Sequence, residues 1–453
     1  MSFKIALGEL QQIITPKDFY LENDIAHREA LGIGTDSRKL KKGEIFIALV
    51  GKNFDGHDFV KQAIEKEAIA IVISEKPSVK IPEHIPQFVV KDTLKAYQKI
   101  ARWWRDRFDF PIIAITGSVG KTTTKELIAG VLETTGKVLK TEANYNNEIG
   151  VPKTLLNLDL GHNYGAIEMA MRASGEIALL TRIARPTIGV ITNVGTAHIG
   201  RLGSREAIAR AKCELLAEMD RSSLAILNHD DRLLMTVAAE VWQGKTITYG
   251  LEGGDLTGQL IDRDTLRVEG LDLPLPLKGR HNAYNYLAAI AVAKAVGIDL
   301  KKLETGISIA LPEGRSQRYH LPEDIIILDE TYNAGLESTI ASLKLLEETP
   351  GLRRIAVLGT MKELGSESAL LHRQVGETVK KLEIDLLLVL VDEAATQEIA
   401  VGVQGAIATE LFEDRQEILK RLKQIVKSGD RILFKASNSV GLNQVVEQFR
   451  SQF

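Results

Sequence analysis

A glycine-bounded turn at residues 117–120 delivers a lysine and two threonines to the start of a helical stretch in the run IIAITGSVGKTTTKE. This order places backbone N–H groups, the Lys121 ammonium and the Thr122 hydroxyl around one anionic point, as in a nucleotide phosphate site. The loop is shorter than G-x-x-x-x-G-K-[ST], because Ile115 stands where that motif has its first glycine. A chance GKT in an ordinary strand–turn–helix connection is the alternative. The apolar strand before the turn and the helix-compatible KELIAGVLE after it favour phosphate binding.

Two further side chains follow apolar runs that have the length of strands. Glu168 closes YGAIEMA, and His198 follows VITNVGTA. In open α/β sheets ligands bind beyond the carboxyl ends of the strands, so both residues should lie near the phosphate loop. Taken singly, a glutamate at a strand end is commonly solvated and a lone histidine is commonly structural. The convergence of three strand ends favours a Mg²⁺ site that also includes the Thr122 hydroxyl.

Three other residues have both a structural and a functional interpretation. Lys212, in ARAKCELL, would ordinarily lie on the solvated face of a helix. Asn282 lies between His281 and Asn285 in the first turns of a helix. An asparagine there either caps the helix or forms hydrogen bonds with the edge of an adenine. Arg315, in PEGRSQRY, fits an interdomain salt bridge or a group that stabilises a transferring phosphoryl group.

The elements that would position these residues predict an α/β fold in three domains. Residues 1–91 carry short β-like runs and form an N-terminal α/β domain. Residues 92–314 alternate apolar strands with helices, which indicates a mostly parallel sheet covered on both faces, with added antiparallel hairpins before a long alanine-rich helix. Residues 315–453 repeat the alternation without a phosphate loop, as a smaller doubly wound, Rossmann-like domain.

The composition limits the possible functions. A length of 453 residues indicates two or three domains, and a net charge of −3 argues against non-specific nucleic-acid binding. Cys213 is the single cysteine, which suggests a reducing compartment. No signal peptide is apparent, and no apolar run approaches the 18 or so residues of a membrane span, so we expect a cytoplasmic protein with no membrane partner.

Beyond single residues, a series of motifs resembles the ATP-dependent Mur ligases of peptidoglycan synthesis over nearly the whole chain. In order these are TDSRKLKKGEIFIAL, FDGHDFV, TGSVGKTTTKE, NYNNEIGVPKTLL, AIEMAMRASGEI, ITNVGTAHIGRLGSREAIARAKCEL, GRHNAYNYLAAIAVA, PEGR, DETYNA and VLGTMKELG. The segment 115–214 is highly specific. The resemblance implies an N-terminal nucleotide-sugar domain, a central ATPase domain and a C-terminal domain for the amine substrate.

The resemblance also implies roles for individual residues. ATP phosphates would be held by Gly117, Ser118, Val119, Gly120, Lys121, Thr122 and Thr123, with Arg315, while Asn282 would meet the adenine and Asp329 the ribose. Thr122, Glu168, His198 and a carbamylated Lys212 would hold Mg²⁺, expected as two ions. For the substrates, Ser37 and Arg38 would lie near the uridine diphosphate, Asn146 and Asn147 near the reacting carboxylate, and Tyr332 and Asn333 near the amine.

Within the family, the motifs most resemble the type that joins D-alanyl-D-alanine to UDP-N-acetylmuramoyl-tripeptide through an acyl phosphate, and we expect a monomer. The nearest alternative adds the third residue, lysine or diaminopimelate, but its Asp-Asn-Pro-Arg motif is absent from the sequence. Folylpolyglutamate synthetase would leave the sugar-nucleotide motifs unexplained. Two alternatives come from other classes. One is a P-loop switch or motor ATPase, of which the switches usually carry Asn-Lys-x-Asp. The other is a simple UDP-sugar-binding protein.

Three motifs of the C-terminal domain depart from the family pattern. The family's Asp-Asp-x-Tyr-Asn-Ala-Asn-Pro appears as residues 329–336, DETYNAGL. Lys-Gly-Ser-Arg appears as residues 435–438, KASN, and Leu-Gly-Asp appears as residues 358–360, LGT. The resemblance therefore implies intact ATP chemistry, with the differences concentrated where the amine substrate is recognised.

Overall fold

Apolar strands alternating with helices build three α/β units along the chain, which a computed structural model describes for residues 3–20 and 25–452. Each unit is built on one main β-sheet, and in chain order we call them the N-terminal, central and C-terminal units. The predicted α/β class is confirmed. The predicted domain limits at 91 and 314 stay predictions.

The N-terminal unit has a five-stranded sheet in the order β2-β7-β6-β5-β4 and a separate antiparallel pair, β1 and β3. In the large sheet only β2 runs antiparallel to its neighbour. The elements are β1 Ile5–Ala6, α1 Leu7–Ile14, β2 Asp18–Tyr20, β3 Glu29–Ala30, β4 Ile33–Gly34, β5 Ile45–Ile47, α2 Val60–Glu65, β6 Ala70–Ile73 and β7 Gln87–Val89.

Helix α3, Thr93–Arg105, connects this unit to the next one. It begins at Asp92, whose carboxylate accepts a hydrogen bond from the Lys95 N–H. Trp104 belongs to the core, and its indole Nε1–H donates to the Leu158 carbonyl at 3.0 Å. This contact fixes α3 against the central unit.

The central unit is built on a nine-stranded sheet in the order β16-β15-β14-β13-β12-β11-β8-β10-β9. Strands β8 to β14 are parallel, and β14, β15 and β16 form the predicted antiparallel hairpins. The elements are β8 Ile112–Thr116, α4 Lys121–Leu132, β9 Val138–Lys140, α5 Gly150–Leu155, β10 Tyr164–Glu168, α6 Glu176–Ala184, β11 Ile188–Ile191, α7 Ile199–Leu202, α8 Arg205–Glu218, β12 Leu224–Asn228, α9 Arg232–Val241, β13 Lys245–Gly250, β14 Leu256–Leu260, β15 Thr265–Val268, β16 Leu271–Pro274 and α10 Arg280–Ala295.

Helices cover the parallel part of this sheet on both faces. Helices α4 and α10 pack on one face, and α3, α6, α8 and α9 contribute to the core on the other. Strand β8 lies between β10 and β11, and all five of its residues are buried. Its carboxyl end therefore opens between two neighbouring parallel strands, directly before the phosphate loop.

The C-terminal unit has a six-stranded sheet in the order β17-β18-β22-β19-β20-β21, with β17 antiparallel to the rest. Helices α11, α12 and α13 contribute to one core cluster, and α14 and α15 to the cluster on the opposite face. The elements are β17 Gln317–Leu321, β18 Ile325–Asp329, α11 Leu336–Glu348, β19 Arg353–Gly359, α12 Ser368–Lys381, β20 Leu386–Leu390, α13 Glu398–Val403, β21 Ala408–Phe412, α14 Arg415–Ile425, β22 Asp430–Lys435 and α15 Leu442–Arg450.

No helix in the described part of the chain has the length and apolar character that crossing a bilayer requires.

Candidate active site

The phosphate loop lies between β8 and α4 and is shaped by glycine. Gly120 has a φ of +81°, and a Cβ there would lie 2.5 Å from the Asn285 Oδ1 atom. Helix α4 then begins at Lys121, so its first N–H groups have no partners within the helix and point towards the loop. The Lys121 ammonium donates to the carbonyls of Gly117 at 2.8 Å and Ser118 at 3.3 Å, folded back over the turn.

The segment after β11 supports this loop. The Val119 N–H donates to Asn193 Oδ1 at 3.0 Å, and the Thr192 hydroxyl donates to the Val119 carbonyl at 2.7 Å. The Gly195 N–H donates to the Ser118 hydroxyl at 2.8 Å. The loop is therefore held in shape by its own unit, which is the preorganisation that an anion site needs.

Two of the predicted metal ligands are in direct contact beside the loop. The Thr122 hydroxyl donates to Glu168 Oε2 at 2.7 Å, and the Asn146 amide donates to Glu168 Oε1 at 2.8 Å. Thr122 and Glu168 are buried. A carboxylate and a hydroxyl next to a phosphate loop are oxygen donors of the kind that Mg²⁺ prefers, so these residues fit that ion.

His198 lies at the start of α7, where its Nδ1 atom is 2.6 Å from Glu363 Oε2 of the C-terminal unit. Burial and the charge of Lys121 lower the pKa of His198, and the Glu363 carboxylate partly offsets this. The imidazole is therefore favoured in its neutral form, in which one ring nitrogen carries a lone pair.

Lys212 is not on a solvated face. Its side chain is buried in α8, and it has no side-chain hydrogen bond or ion pair with any residue that the structure describes. Burial and the nearby charge of Lys121 lower the pKa of Lys212 well below its usual range. The uncharged amine, which is the nucleophilic form, is therefore easier to reach at this position than on a solvated lysine.

A cavity of about 760 Å³ opens beside the loop, between the central and C-terminal units. Lys121, Arg315 and Lys435 line it, and the Arg315 charge contributes, after burial, to lowering the pKa values of both lysines. The Arg315 guanidinium lies 4.0 Å above the centre of the Tyr332 ring, and its buried Nε–H has no partner among the described residues. Three cations from two units therefore converge where an anion would relieve their mutual repulsion.

The first turns of α10 form another wall of this cavity. Asn282 donates to the Lys278 carbonyl at 2.8 Å and accepts from the Asn285 amide at 3.2 Å, and all three α10 positions 281, 282 and 285 line the space. Burial and the charge of Lys435 lower the pKa of His281 to about 4, so this imidazole is neutral near pH 7. The wall offers uncharged donors and acceptors, which suits a nucleobase.

Asp329, the residue expected to meet the ribose, lies at the end of β18. Its carboxylate is buried and accepts hydrogen bonds from the Thr331 N–H at 3.0 Å and the Thr331 hydroxyl at 2.6 Å. Asp329 does not line the cavity beside the phosphate loop, whereas the next residue, Glu330, does. Successive side chains at the end of an extended strand point in opposite directions, which explains why Glu330 and not Asp329 lines this cavity. The role of Asp329 at the ribose stays a prediction.

The predicted substrate residues lie in several places. Tyr332 and Asn333 line the cavity, and the Asn333 carbonyl accepts from Lys435 at 3.0 Å. Asn147 instead accepts from the N–H groups of residues 149 and 150, so its side chain supports the start of α5.

Ser37 and Arg38 lie in the N-terminal unit, away from that cavity. The Ser37 hydroxyl donates to Gln62 at 2.5 Å, and Arg38 is exposed and paired with Asp36 at 2.9 Å. Their roles in binding uridine diphosphate stay predictions.

Several residues of the site were not predicted. Lys435 ends the last parallel strand, so the strand-end argument that singled out Glu168 would also have found it. Glu337 accepts from the Thr196 N–H at 2.7 Å, and Glu363 accepts from His198, but both contacts join two units and no local pattern signals them.

Comparisons with known proteins agree along the whole chain. Three family models match: "Mur ligase family, catalytic domain" at residues 29–103, "Mur ligase middle domain" at 115–293 and "Mur ligase, glutamate ligase domain" at 314–438. The UDP-N-acetylmuramoyl-tripeptide–D-alanyl-D-alanine ligase of Synechocystis sp. is 56% identical over 420 residues, which cover 93% of this chain and 92% of that protein.

Solved structures are similar over comparable lengths. MurF from Acinetobacter baumannii superposes with a TM-score of 0.88 at 28% identity and covers 99% of both chains. MurF ligase from Thermotoga maritima, solved in complex with ADP, superposes with a TM-score of 0.82 at 31% identity and covers 93% of this chain and 97% of that one.

Proposed function

This chain belongs to the Mur ligase family, and we propose that it joins D-alanyl-D-alanine to UDP-N-acetylmuramoyl-tripeptide while ATP is converted to ADP and phosphate. The observation that carries the proposal is the cavity in which Lys121 of the central unit meets Arg315 and Lys435 of the C-terminal unit. The printed name of the 56% identical relative supports the choice of substrates.

The reaction has two steps. A carboxylate oxygen of the tripeptide attacks the γ-phosphorus of ATP, the bond to the β–γ bridging oxygen breaks, and ADP leaves. The amine of the dipeptide then attacks the acyl carbon, the acyl–phosphate bond breaks, and inorganic phosphate and one proton are released. The net result is one amide bond for each ATP.

The residues of the chain act on charge and position. Lys121, the N-terminus of α4, Arg315 and Lys435 offset the charge that develops on the phosphoryl oxygens during transfer. Because Arg315 and Lys435 belong to the C-terminal unit, the full set of cations exists only when that unit lies against the central one. The same arrangement keeps water away from the acyl phosphate.

Thr122, Glu168, His198 and Lys212 are the residues that would hold Mg²⁺, as two ions. When bound, Mg²⁺ neutralises phosphate oxygens and aligns them with the attacking carboxylate. Lys212 would take part as a carbamate, since an uncharged amine adds to CO₂ and loses a proton to give an anionic oxygen ligand. Its burial without a counter-ion supports that conversion.

The substrates would reach the phosphate from three directions. Asn282 would face the adenine of ATP and Asp329 the ribose, and Glu330, the neighbour of Asp329, lines the same cavity as Asn282. The sugar nucleotide extends from Ser37 and Arg38 past Asn146, whose amide already lies on Glu168. Tyr332 and Asn333 are on the side of the amine. We place the protein in the cytoplasm, where ATP and nucleotide sugars are available, and propose that it acts as a monomer.

The test measures ADP release by the purified protein with ATP, Mg²⁺ and UDP-N-acetylmuramoyl-tripeptide, with and without D-alanyl-D-alanine. We expect turnover that needs both substrates and a product whose mass equals that of the two substrates less one water. L-Lysine and diaminopimelate, supplied with UDP-N-acetylmuramoyl-dipeptide, serve as matched alternatives. Turnover with either would move the chain to the third-residue-adding type, and ADP release without any carboxylate would refute a ligase.

A further inference from the structure

A turn of the C-terminal unit, residues 362–365, lies on the loop at residues 195–202 that follows β11 in the central unit. The Glu363 carboxylate in this docking turn makes two contacts: His198 Nδ1 at 2.6 Å and the Arg201 guanidinium at 3.0 Å. The Gly200 N–H donates to the Glu363 carbonyl at 3.3 Å. One residue of the C-terminal unit thus holds the ring, a neighbouring arginine and the backbone of the opposite loop.

The two backbones meet with no room for side chains. A Cβ on Gly200 would lie 2.5 Å from the Gly365 nitrogen and 2.8 Å from the Leu364 carbonyl carbon. A Cβ on Gly365 would lie 2.7 Å from the Gly200 Cα. Paired glycines therefore set the distance at which Glu363 reaches His198.

The orientation of the imidazole follows from this contact. Because the Glu363 carboxylate can only accept a hydrogen bond, the proton in this contact belongs to Nδ1, which leaves Nε2 as the ring nitrogen that can bind a metal and holds the ring in one plane. Carboxylates in this position fix the tautomer and direction of histidines that bind metals. Glu363 itself lines neither the phosphate loop nor the large cavity.

We propose that Glu363 is a positioning residue that aims His198 at the metal site only when the C-terminal unit is docked, so that docking and metal binding are linked. The inference rests on the proposed function, in which His198 is a ligand. Linkage is reciprocal, so the metal–nucleotide complex favours the docked arrangement to the same extent that docking favours the metal.

The test uses Mn²⁺ as the probe ion and measures its dissociation constant by electron paramagnetic resonance, with the full chain and ADP. Glu363→Gln keeps the shape of the side chain but removes its charge, and we expect about ten-fold weaker Mn²⁺ binding. Gly200→Ala removes no charge but pushes the docking turn away, and should weaken Mn²⁺ binding in the same direction.

Arg201→Ala is the matched control. It removes an ion pair to the same carboxylate and across the same interface, yet leaves the bond to His198 in place. We expect its Mn²⁺ affinity to stay within about two-fold of that of the unchanged chain, since an ion pair this exposed contributes little. Melting temperatures of all three variants establish that the units remain folded.

An Mn²⁺ affinity that Glu363→Gln leaves unaltered would overturn the proposal. So would a loss of Mn²⁺ affinity in Arg201→Ala equal to that in Glu363→Gln, because the effect would then come from docking alone. Gly200→Ala with normal Mn²⁺ affinity would overturn the link between docking and metal binding. Failure of the proposed function has a different signature, because the unchanged chain would then show no ADP-dependent Mn²⁺ binding at all.

Discussion

Replacing Lys121 by Met tests the phosphate site most directly, because methionine keeps much of the aliphatic stem and removes the charge. Among the residues that the structure describes, the Lys121 ammonium donates hydrogen bonds only to carbonyls of its own loop, those of Gly117 and Ser118. Burial lowers the pKa of Lys121. The Glu168 carboxylate raises this pKa, and the Arg315 guanidinium lowers it further. The ammonium charge thus lies near the predicted metal ligands without forming an ion pair with any of them.

The expected loss follows from the contacts the ammonium would make in the transition state. A donor aimed at developing oxyanion charge contributes about 3–4 kcal/mol. With about 1.36 kcal/mol for each factor of ten in rate, the loss in kcat should be about 100- to 1000-fold. Arg315 and Lys435 remain in the variant, which is why we expect residual turnover.

The assay is the coupled measurement of ADP release with both substrates saturating, alongside thermal unfolding of the same samples. Lys137→Met is the matched control, because Lys137 belongs to the same unit and is 60% exposed in a long ion pair with Asp159. A fall in kcat of less than about three-fold for Lys121→Met, with unchanged unfolding, would refute the assignment of the loop.

Three further results are expected. Lys212→Ala should lower turnover by about 100-fold or more. Removal of CO₂ from solutions of the unchanged chain should lower turnover, and added bicarbonate should restore it. Turnover that changes neither with the substitution nor with CO₂ would contradict a carbamate ligand. The pKa of His281 is about 4 in the folded chain and 6.5 ordinarily, so between these pH values the unfolded chain binds one more proton than the folded chain. Urea titrations should therefore show that the free energy of unfolding falls on acidification by up to about 1.4 kcal/mol per pH unit. His281→Gln should reduce this slope. Trp104→Ala should cost about 3–5 kcal/mol of unfolding free energy, because a 2% exposed indole that binds Leu158 is lost, whereas Trp103→Ala, on the half-buried neighbour in the same helix, should cost less.

Sequence patterns predicted the regular elements where the apolar signal was continuous. Strands β8, β10, β11 and β12 carry runs of buried residues. Strands β9, β17 and β21 lie at the edges of their sheets and are at most partly buried, so their sequences carry no such run. Helix α13 spans six residues, too short for helical periodicity to show.

The same limits explain the site. Thr122 and Glu168 were predictable because both follow parallel strands of one sheet, whose carboxyl ends meet at one edge. For the acids at the end of β18 the sequence is uninformative, because all five residues of this strand are buried and no alternation tells which end residue faces the cavity. Glu337, Glu363 and the opposing glycines depend on how two units pack, which neither propensity nor periodicity encodes.

The departures from the family motifs become clearer once neighbouring strands are considered together. Thr360, where the family has Asp, is buried at the end of β19, and its hydroxyl donates to the Asp392 carboxylate beyond the end of β20. The Lys362 ammonium lies 2.6 Å from both Asp392 and Glu393. An aspartate at 360 would set a second carboxylate against Asp392 in a buried position, where like charges destabilise each other. Threonine instead donates a hydrogen bond, so this edge of the C-terminal sheet keeps its acid, supplied by the adjacent strand.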